Sequence, residues 1–416
     1  MRISGRLVAA AALAVCVSLH LLAGPARAIV VCDDPNDPNH LVTPPSAYDE
    51  VAYLGTADGT SAVLIDSWYI LTARHAGYVP GMVVFHLAGG QQVFTMMEKF
   101  SNPSADLAVI RLNRATGLPG YSLYDPAVYG SEKGKEGILL GYGMSGTPAT
   151  VQAGGDPNYP RGTLRVGYNK IDGNAFDPNA GYYLWSDFDS PSSPGPNGSL
   201  GINKEAAVAL GDSGGPLFIN AGGQLRVAGI EFSSSRNDPN HWPSYGDYSY
   251  YVQVAAYSSW IKSLIPSQPA TETGDFNNDG ATNDVDIDAL FGHYGGIDMW
   301  YDLTGDSAVG KADSDRLIRV FLTTEYGDAD LDHRVDVNDY NILAANFGLT
   351  GSGHWALGDF NGDKKVDFAD YQILEVSFGF GTGGGLSLPP VPVPEPAAMS
   401  LLAAGWVLLG RRAQKR

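Results

Sequence analysis

The sequence predicts two kinds of structure in one chain. A long all-β portion of antiparallel strands comes first, and a small α-helical domain built on acidic loops follows. Three observations carry this. From Val51 to Phe232, short runs of Val, Ile, Leu and Tyr are punctuated by Gly, Pro and Asn. They show no long 3.6-residue period, which is the pattern of a sandwich or barrel. Residues 275–375 hold 21 Asp/Glu against 6 Lys/Arg, so −15 of the net charge of −19 is concentrated there. Within that block the acids recur at fixed spacing, each group followed by a short helical pattern. At 416 residues the chain is too long for one ordinary domain.

Individual strands read as SAVLI (61–65), WYILT (68–72), MVVFHL (82–87), DLAVIRL (106–112), GILLGY (137–142), TLRVGY (163–168) and LRVAGIEF (225–232). The stretch 251–265 changes character. Val254, Tyr257, Ile261 and Leu264 fall at helical spacing, and Trp260 widens the apolar face. Residues 144–162 and 172–203 are rich in Gly, Pro, Asn, Asp and Ser and read as long irregular loops. PSQPATETG is a polar, proline-bearing linker.

The ends read as addresses. Arg2 and Arg6 precede an apolar run from Leu7 to Ala23, and Ala26-Arg27-Ala28 offers small residues at both recognition positions of a signal peptidase. The shortness of the run and its cleavage-like end favour export over a membrane anchor. Cleavage after Ala28 removes Cys16 and leaves Cys32 as the single cysteine, so no intrachain disulfide is expected. An exported chain without disulfides needs a large core or bound metal for stability. The acidic balance argues against nucleic-acid binding, which needs a basic face.

The motifs that carry chemistry appear in one order: LTARHAG around His75, DLAVIRL from Asp106, and GDSGGP around Ser213. A serine nucleophile, an imidazole base and an orienting carboxylate are the parts of an acyl-transfer site. The order His, Asp, Ser, with these local contexts, resembles the trypsin/chymotrypsin-like serine peptidases over residues 29–266. That resemblance implies a double barrel of antiparallel strands, closed by the helix near 251–265. It implies Ser213 as nucleophile, His75 as general base and Asp106 as its orienter. The backbone N–H groups of Gly211 and Ser213 would form the oxyanion hole, and no cofactor is needed for catalysis. Ala76 and Ala209 stand where the animal enzymes carry cysteines, and Arg74 stands where a small residue is usual. A cation at position 74 must point away from the barrel core.

The resemblance also assigns an activation device and a pocket. Cleavage after Ala28 would expose Ile29-Val30, and such an amino terminus inserts beside the aspartate before the nucleophile, here Asp212. Val31 replaces the usual glycine. Ala207 and Ser249 fall at the specificity pocket, flanked by Phe232, and none carries a charge. The expectation is an uncharged, apolar residue on the acyl side of the scissile bond, with nearby Glu231 the residue that could upset it.

The acidic block contains four copies of one 12-residue design, beginning at Asp275, Asp302, Asp328 and Asp359. Oxygen-bearing side chains occupy positions 1, 3, 5 and 12. The sets are Asp275, Asn277, Asp279, Asp286; Asp302, Thr304, Asp306, Asp313; Asp328, Asp330, Asp332, Asp339; and Asp359, Asn361, Asp363, Asp370. That spacing suits Ca2+, which takes six to eight oxygens. With Asp in place of Glu at position 12 and helices such as YNILAANFG, the block resembles type I dockerin repeats, a relative of the EF-hand. This implies a cohesin-like partner. Position 6, where the loop turns sharply, is Gly280 in the first copy but Ser307, His333 and Lys364 in the others. Thr282, Val309, Val335 and Val366 at position 8 suit loops paired back to back, and Asp336 and Asp367 would add a fifth acidic position to the last two loops.

At the far end, Val393-Pro394-Glu395-Pro396 precedes an apolar run of about 14 residues and then RRAQKR. This resembles the PEP-CTERM sorting tail, which implies processing by an exosortase-like enzyme at a bacterial envelope. The run is short for a spanning helix of roughly 20 residues, so membrane contact is expected through this tail alone. The expected divisions are a signal peptide (1–28), a peptidase domain (29–266), a linker (267–274), calcium repeats (275–379), a second linker (380–393) and the tail (394–416). The reading is an exported serine endopeptidase acting on proteins or peptides, at the cell envelope or outside the cell. The alternative is an inactive peptidase-like module that binds or adheres, with calcium-dependent docking repeats.

Overall fold

Short apolar strands, several of them buried along both faces, set the first half of the protein. The structure is a computed structural model describing residues 29–31, 40–44, 46–55, 59–150, 161–192, 200, 205–237, 240, 242–266 and 269–383. The expected signal peptide, both cysteines and the sorting tail lie outside the described residues. The chain divides into two compact units at Ile265/Pro266.

In the first unit, β1 (Ile29–Val31) is followed by β2 (Val51–Leu54), β3 (Thr60–Asp66), β4 (Tyr69–Thr72), β5 (Gly81–Leu87), β6 (Gly90–Ser101) and β7 (Ala108–Leu112). Strands β2-β3-β4-β7-β6-β5 close a barrel. Its inner positions include Leu54, Leu64, Phe85, Phe94, Met96 and Ile110, all buried. Each such side chain contributes roughly 1.5–3 kcal/mol of transfer free energy. Strand β6 was not foreseen. Its Gln-Gln start and exposed Val93 disguise an alternation that buries Phe94 and Met96.

A one-turn helix α1 (Pro126–Tyr129) leads into β8 (Glu136–Gly141), β9 (Ser145–Gly146), β10 (Arg165–Lys170), β11 (Gly173–Asp177), β12 (Gly181–Asp187), β13 (Ala206–Ala207), β14 (Pro216–Ala221), β15 (Gln224–Ser234) and β16 (Tyr248–Gln253). Seven of these form an antiparallel sheet, β10-β8-β14-β15-β16-β12-β11, and β13-β1-β9 form a second, three-stranded one. Among the described residues the first barrel is closed by strand pairing, whereas the second layer is these two sheets.

Two expectations need correction. Residues 173–187, read as irregular loop, form the β11–β12 hairpin. Leu184 is buried and Trp185 pairs with Gly173 across the turn. The helix expected over 251–265 begins later. Tyr251 and Val252 belong to β16, pairing with β12 and β15. A 3-10 turn at Val254–Tyr257 then precedes α2 (Ser258–Leu264). Val254, Tyr257 and Ile261 are the buried stripe.

The second unit contains α3 (Ala270–Thr273), α4 (Asp284–Gly292), α5 (Lys311–Arg316), α6 (Val337–Asn346) and α7 (Phe368–Ser377). Residues 270–273, expected to be linker, are helical, with Ala270 buried. The last four helices each begin inside one acidic loop. The loop pairing also differs from expectation. Val335 exchanges backbone hydrogen bonds with Gly379 and Phe380 beyond α7, and Val366 with Gly348 and Leu349 beyond α6. Position 8 of each of these loops therefore pairs with the exit of the other loop's helix, not with the other position 8. Among the described residues, no helix is long and apolar enough to cross a membrane.

Candidate active site

Neighbouring strands bring the first two motif residues together. In the barrel, Thr72 of β4 is directly opposite Ala108 of β7. His75 lies three residues past that pair and Asp106 two residues before it, so both emerge at one barrel end. His75 Nδ1 is 2.7 Å from Asp106 Oδ2, and the His75 backbone N–H donates to Asp106 Oδ1 at 3.0 Å. Partial burial pushes the Asp106 carboxyl up, but the bonds and charge of His75, with the charge of Arg74, outweigh it and hold it below the usual range. A carboxylate so placed fixes the imidazole tautomer with Nδ1 protonated and Nε2 free to move a proton.

The turn carrying His75 has an unforeseen clamp. The ammonium of Lys99, from β6, donates to the carbonyls of Arg74, Ala76 and Gly77 at 2.7, 2.7 and 2.8 Å. Arg74 itself is exposed and donates to the Asn102 carbonyl, away from the core.

The loop carrying Ser213 is tied to both layers. The N–H of Ser61 in β3 donates to the Ser213 carbonyl at 2.9 Å, and the Gly214 N–H donates to the Glu231 carbonyl at 2.7 Å. Gly211 and Gly214 adopt φ of 97° and 87°. A Cβ at Gly214 would lie 2.1 Å from the Ser61 carbonyl, so only glycine fits there. Asp212, between them, is fully buried. Its Oδ1 accepts from Gly143 N–H at 2.9 Å and its Oδ2 from Ala209 N–H at 2.8 Å, while the Ile29 backbone N–H also bonds the carboxyl. Burial nonetheless pushes Asp212 up to about 7, against these bonds and the charge of Arg161. Glu231 lies beside it, fully buried, and among the described residues neither carboxyl oxygen has a hydrogen-bond partner. Burial and then the neighbouring Asp212 raise its pKa well above the ordinary range.

His75 and Ser213 wall the same cleft of about 290 Å³, with Thr60, Tyr78, Arg161, Leu210 and Gly211 also in its lining. The three residues assigned to specificity are not in that lining. Ala207 is buried against β1, opposite Val30. Ser249 is buried and its Oγ accepts from the Val208 N–H at 3.1 Å. Phe232 is the extra residue of a bulge between β15 and β16 and packs near Tyr183 and Tyr250, ring centroids 6.4 Å from each. The bulge turns it into an aromatic cluster. Lys99 and Arg161 went unrecognised because neither belongs to a motif. The alternation of β6 is the one sequence signal that bears on Lys99.

In the second unit the four acidic loops share one hydrogen-bond scheme. The N–H at position 6 donates to the first Asp at 2.8–2.9 Å: Gly280 to Asp275, Ser307 to Asp302, His333 to Asp328 and Lys364 to Asp359. All four position-6 residues have positive φ, from 65° to 91°, so Ser307, His333 and Lys364 adopt the turn that glycine adopts without strain. The position-12 acids Asp286, Asp313, Asp339 and Asp370 are buried and each accepts the N–H of its helix's N-cap. Asp336 and Asp367, expected as extra acidic ligands, are those caps in α6 and α7. Their Oδ1 atoms accept from Asn338 and Ala369 N–H groups. Asp328, Asp330 and Asp332 present carboxylate oxygens within 4.8 Å of one another. Burial, then the charges of Asp328 and Asp330 against the hydrogen bonds it accepts, leaves Asp339 pushed up to about 6.

No protein-family model matches the chain. A protein of Corynebacterium glutamicum strain R, named an uncharacterized peptidase, is 26% identical over 217 residues, which is 50% of this chain and 64% of that protein. A peptidase of C. glutamicum strain ATCC 13032 gives the same values. The match thus spans under two thirds of these relatives' length. Among solved structures, neuropsin, a serine protease expressed in the limbic system of mouse brain, covers 55% of this chain and 98% of its own, at 20% identity and a TM-score of 0.40. About half of the chain has homologues that are named as peptidases.

Proposed function

We propose that the protein is an exported trypsin-like serine endopeptidase with a calcium-ordered docking module. One observation carries the catalytic reading: His75 is held on Asp106 at 2.7 Å and shares a cleft with Ser213. In the reaction, His75 Nε2 takes the Ser213 Oγ proton as Oγ attacks the peptide carbonyl. The Gly211 and Ser213 N–H groups receive the developing oxyanion. His75 returns the proton to the departing amine, and water then cleaves the acyl-enzyme by the same route. Reaction of Ser213 with a fluorophosphonate probe tests this directly. Labelling abolished by Ser213→Ala is the expected result, and an unlabelled native protein would leave only the inactive binding module.

The Ile29 terminus is the switch in this reading. Ile29 has φ of 60°, a strained value for a β-branched residue. Cutting the Ala28–Ile29 bond removes that torsion and turns the amide nitrogen bonded to Asp212 into an ammonium. A buried aspartate raised to about 7 would then gain a counter-charge. The residues assigned to the acyl side, Ala207, Ser249 and Phe232, carry no charge, and burial raises the pKa of nearby Glu231 well above the ordinary range. An uncharged, apolar residue is therefore the preferred acyl-side partner.

In the second unit the donor set fits calcium. The third loop gathers the carboxylates of Asp328, Asp330 and Asp332, and in all four loops the first Asp accepts the N–H of position 6. When bound, the ion would neutralise this crowding and rigidify the loops. Docking on a cohesin-like partner and retention at the envelope through an exosortase-processed tail complete the proposal, resting on the repeat pattern and on the residues after Val393.

A further inference from the structure

The cleft that holds His75 and Ser213 also holds a guanidinium, that of Arg161, with no side chain paired to it among the described residues. Arg161 lies across the open face of Gly211. A Cβ at Gly211 would meet Arg161 Nε at 2.8 Å and Cδ at 3.0 Å, with the Gly59 carbonyl at 2.9 Å. Arg161 is thus seated directly against one of the two backbone positions assigned to the oxyanion. Among the described residues it has no hydrogen-bond or ion-pair partner. The acid its charge acts on, Asp212, is buried and already takes the N–H groups of Gly143, Ala209 and Ile29. The five donors of the guanidinium remain available to a ligand.

The lining says which half of the substrate passes Arg161. Ala207, Ser249 and Phe232, assigned to the acyl side, do not border this cleft, whereas the turn after His75 does. His75 Nε2 hands its proton to the departing amine, so the half of the site flanked by that turn is the leaving-group half. Leu210 and Tyr78 are its exposed apolar walls. An arginine between apolar walls matches a planar carboxylate in a two-pronged hydrogen-bonded pair.

We infer that Arg161 is a specificity-determining residue that selects a carboxylate within the first two residues after the scissile bond. The inference rests on the serine-peptidase reading above. The carboxylate has two possible sources, an Asp or Glu side chain or the free α-carboxylate of a short chain end.

The test uses the full exported chain and matched peptides that differ only on the leaving side. They carry Glu, Gln or Lys at the second position, each as free acid and as C-terminal amide. Wild-type protein should cleave the carboxylate-bearing member about tenfold better in kcat/KM than its neutral partner, equivalent to about 1.4 kcal/mol. Arg161→Gln should bring that ratio to about one, and Arg161→Glu should invert it towards Lys. An advantage that follows Glu in amidated peptides assigns the side chain as the source. One that follows the free acid alone assigns the chain end. Equal rates for Glu, Gln and both termini, with Ser213 still labelled by fluorophosphonate, overturn the role of Arg161 and leave the enzyme reading intact. A wild-type protein that neither cleaves nor labels overturns both.

Discussion

Carboxylates organise both units, by opposite economies. In the first unit single acids lie among internal partners: Asp106 has His75, and Asp212 has three backbone N–H groups, with the Ile29 nitrogen among them. In the second unit the same backbone-accepting geometry is repeated four times, and in the third loop the acids face one another. Asp328, Asp330 and Asp332 converge, and among the described residues their donors are backbone N–H groups and the Thr324 hydroxyl rather than a cation. A charge with an internal partner is set once by folding. A charge without one has to be set by something from outside, which makes it conditional on the solution. The first arrangement suits a fixed catalytic geometry, the second a module ordered by an ion.

The largest expected effect breaks the first arrangement. Ser213→Ala should lower kcat by about 10⁴-fold or more, and His75→Ala should match it, because the two act as one unit. Asp106→Asn should also cost about 10⁴-fold by presenting the wrong tautomer. Steady-state kinetics with thermal melts as a control decides it. Near-native turnover in either of the first two variants removes the catalytic assignment.

The sequence exposed the residues of this site better than their setting. His75, Asp106 and Ser213 announce themselves because the chemistry dictates residue types and the tight turns dictate glycines. The clamp of Lys99 is illegible, since one ammonium meeting three carbonyls depends on strand β6 lying beside the turn. Arg161 is illegible for the same reason. Strands with continuous apolar runs, such as β3 and β7, were readable. The β11–β12 hairpin was not, because its turn residues and exposed Phe176 and Tyr182 resemble loop composition. In the acidic block the 12-residue spacing was plain, but the role of Asp336 and Asp367 was not. A side chain that could ligate a metal can equally cap a helix, and only the backbone decides.

The next effect sharpens the contrast through Asp212. Where the Ala28–Ile29 bond is intact, this carboxyl titrates near 7 in the folded protein against an ordinary 3.8. The unfolded chain therefore releases its proton first as pH rises, and stability falls from about pH 4 to about pH 7. The loss is at most about 4 kcal/mol. In protein beginning at Ile29 the ammonium favours the charged carboxylate, so the fall should shrink or vanish. Urea unfolding of both forms across that range reads it, along with an activity assay of a form carrying one extra Met before Ile29. Parallel pH profiles and equal activity would dispose of the inserted-terminus switch.

Calcium should act on the other unit and leave the first alone. Filling a site at a hundredfold excess over Kd stabilises by about 2.7 kcal/mol. Chelator should lower the unfolding transition of the repeats while fluorophosphonate labelling of Ser213 persists. The third loop, with three converging carboxylates, should fill first, so Asp330→Asn should weaken binding more than Asn277→Ala. Calorimetry showing no calcium uptake by the full chain would reduce the block to an acidic spacer.

The smallest effect concerns Glu231. It is a fully buried acid beneath the loop that carries Ser213, with neither oxygen hydrogen-bonded among the described residues, and burial raises its pKa well above the ordinary range. Glu231→Gln keeps its shape and removes its proton equilibrium. At about pH 3, where Glu231 carries its proton in both the folded and the unfolded wild type, the two proteins should differ least. As pH rises, the unfolded wild type ionises above its ordinary 4.5 while the folded form resists, so the wild type loses stability and the variant gains on it. The acyl-side preference should stay apolar in both. A wild type that prefers Lys or Arg there, and loses that preference in Glu231→Gln, would mean that the acid is charged when substrate is bound. The pocket would then be a cation site, and the fixed, self-contained electrostatics claimed for the first unit would fail at its centre.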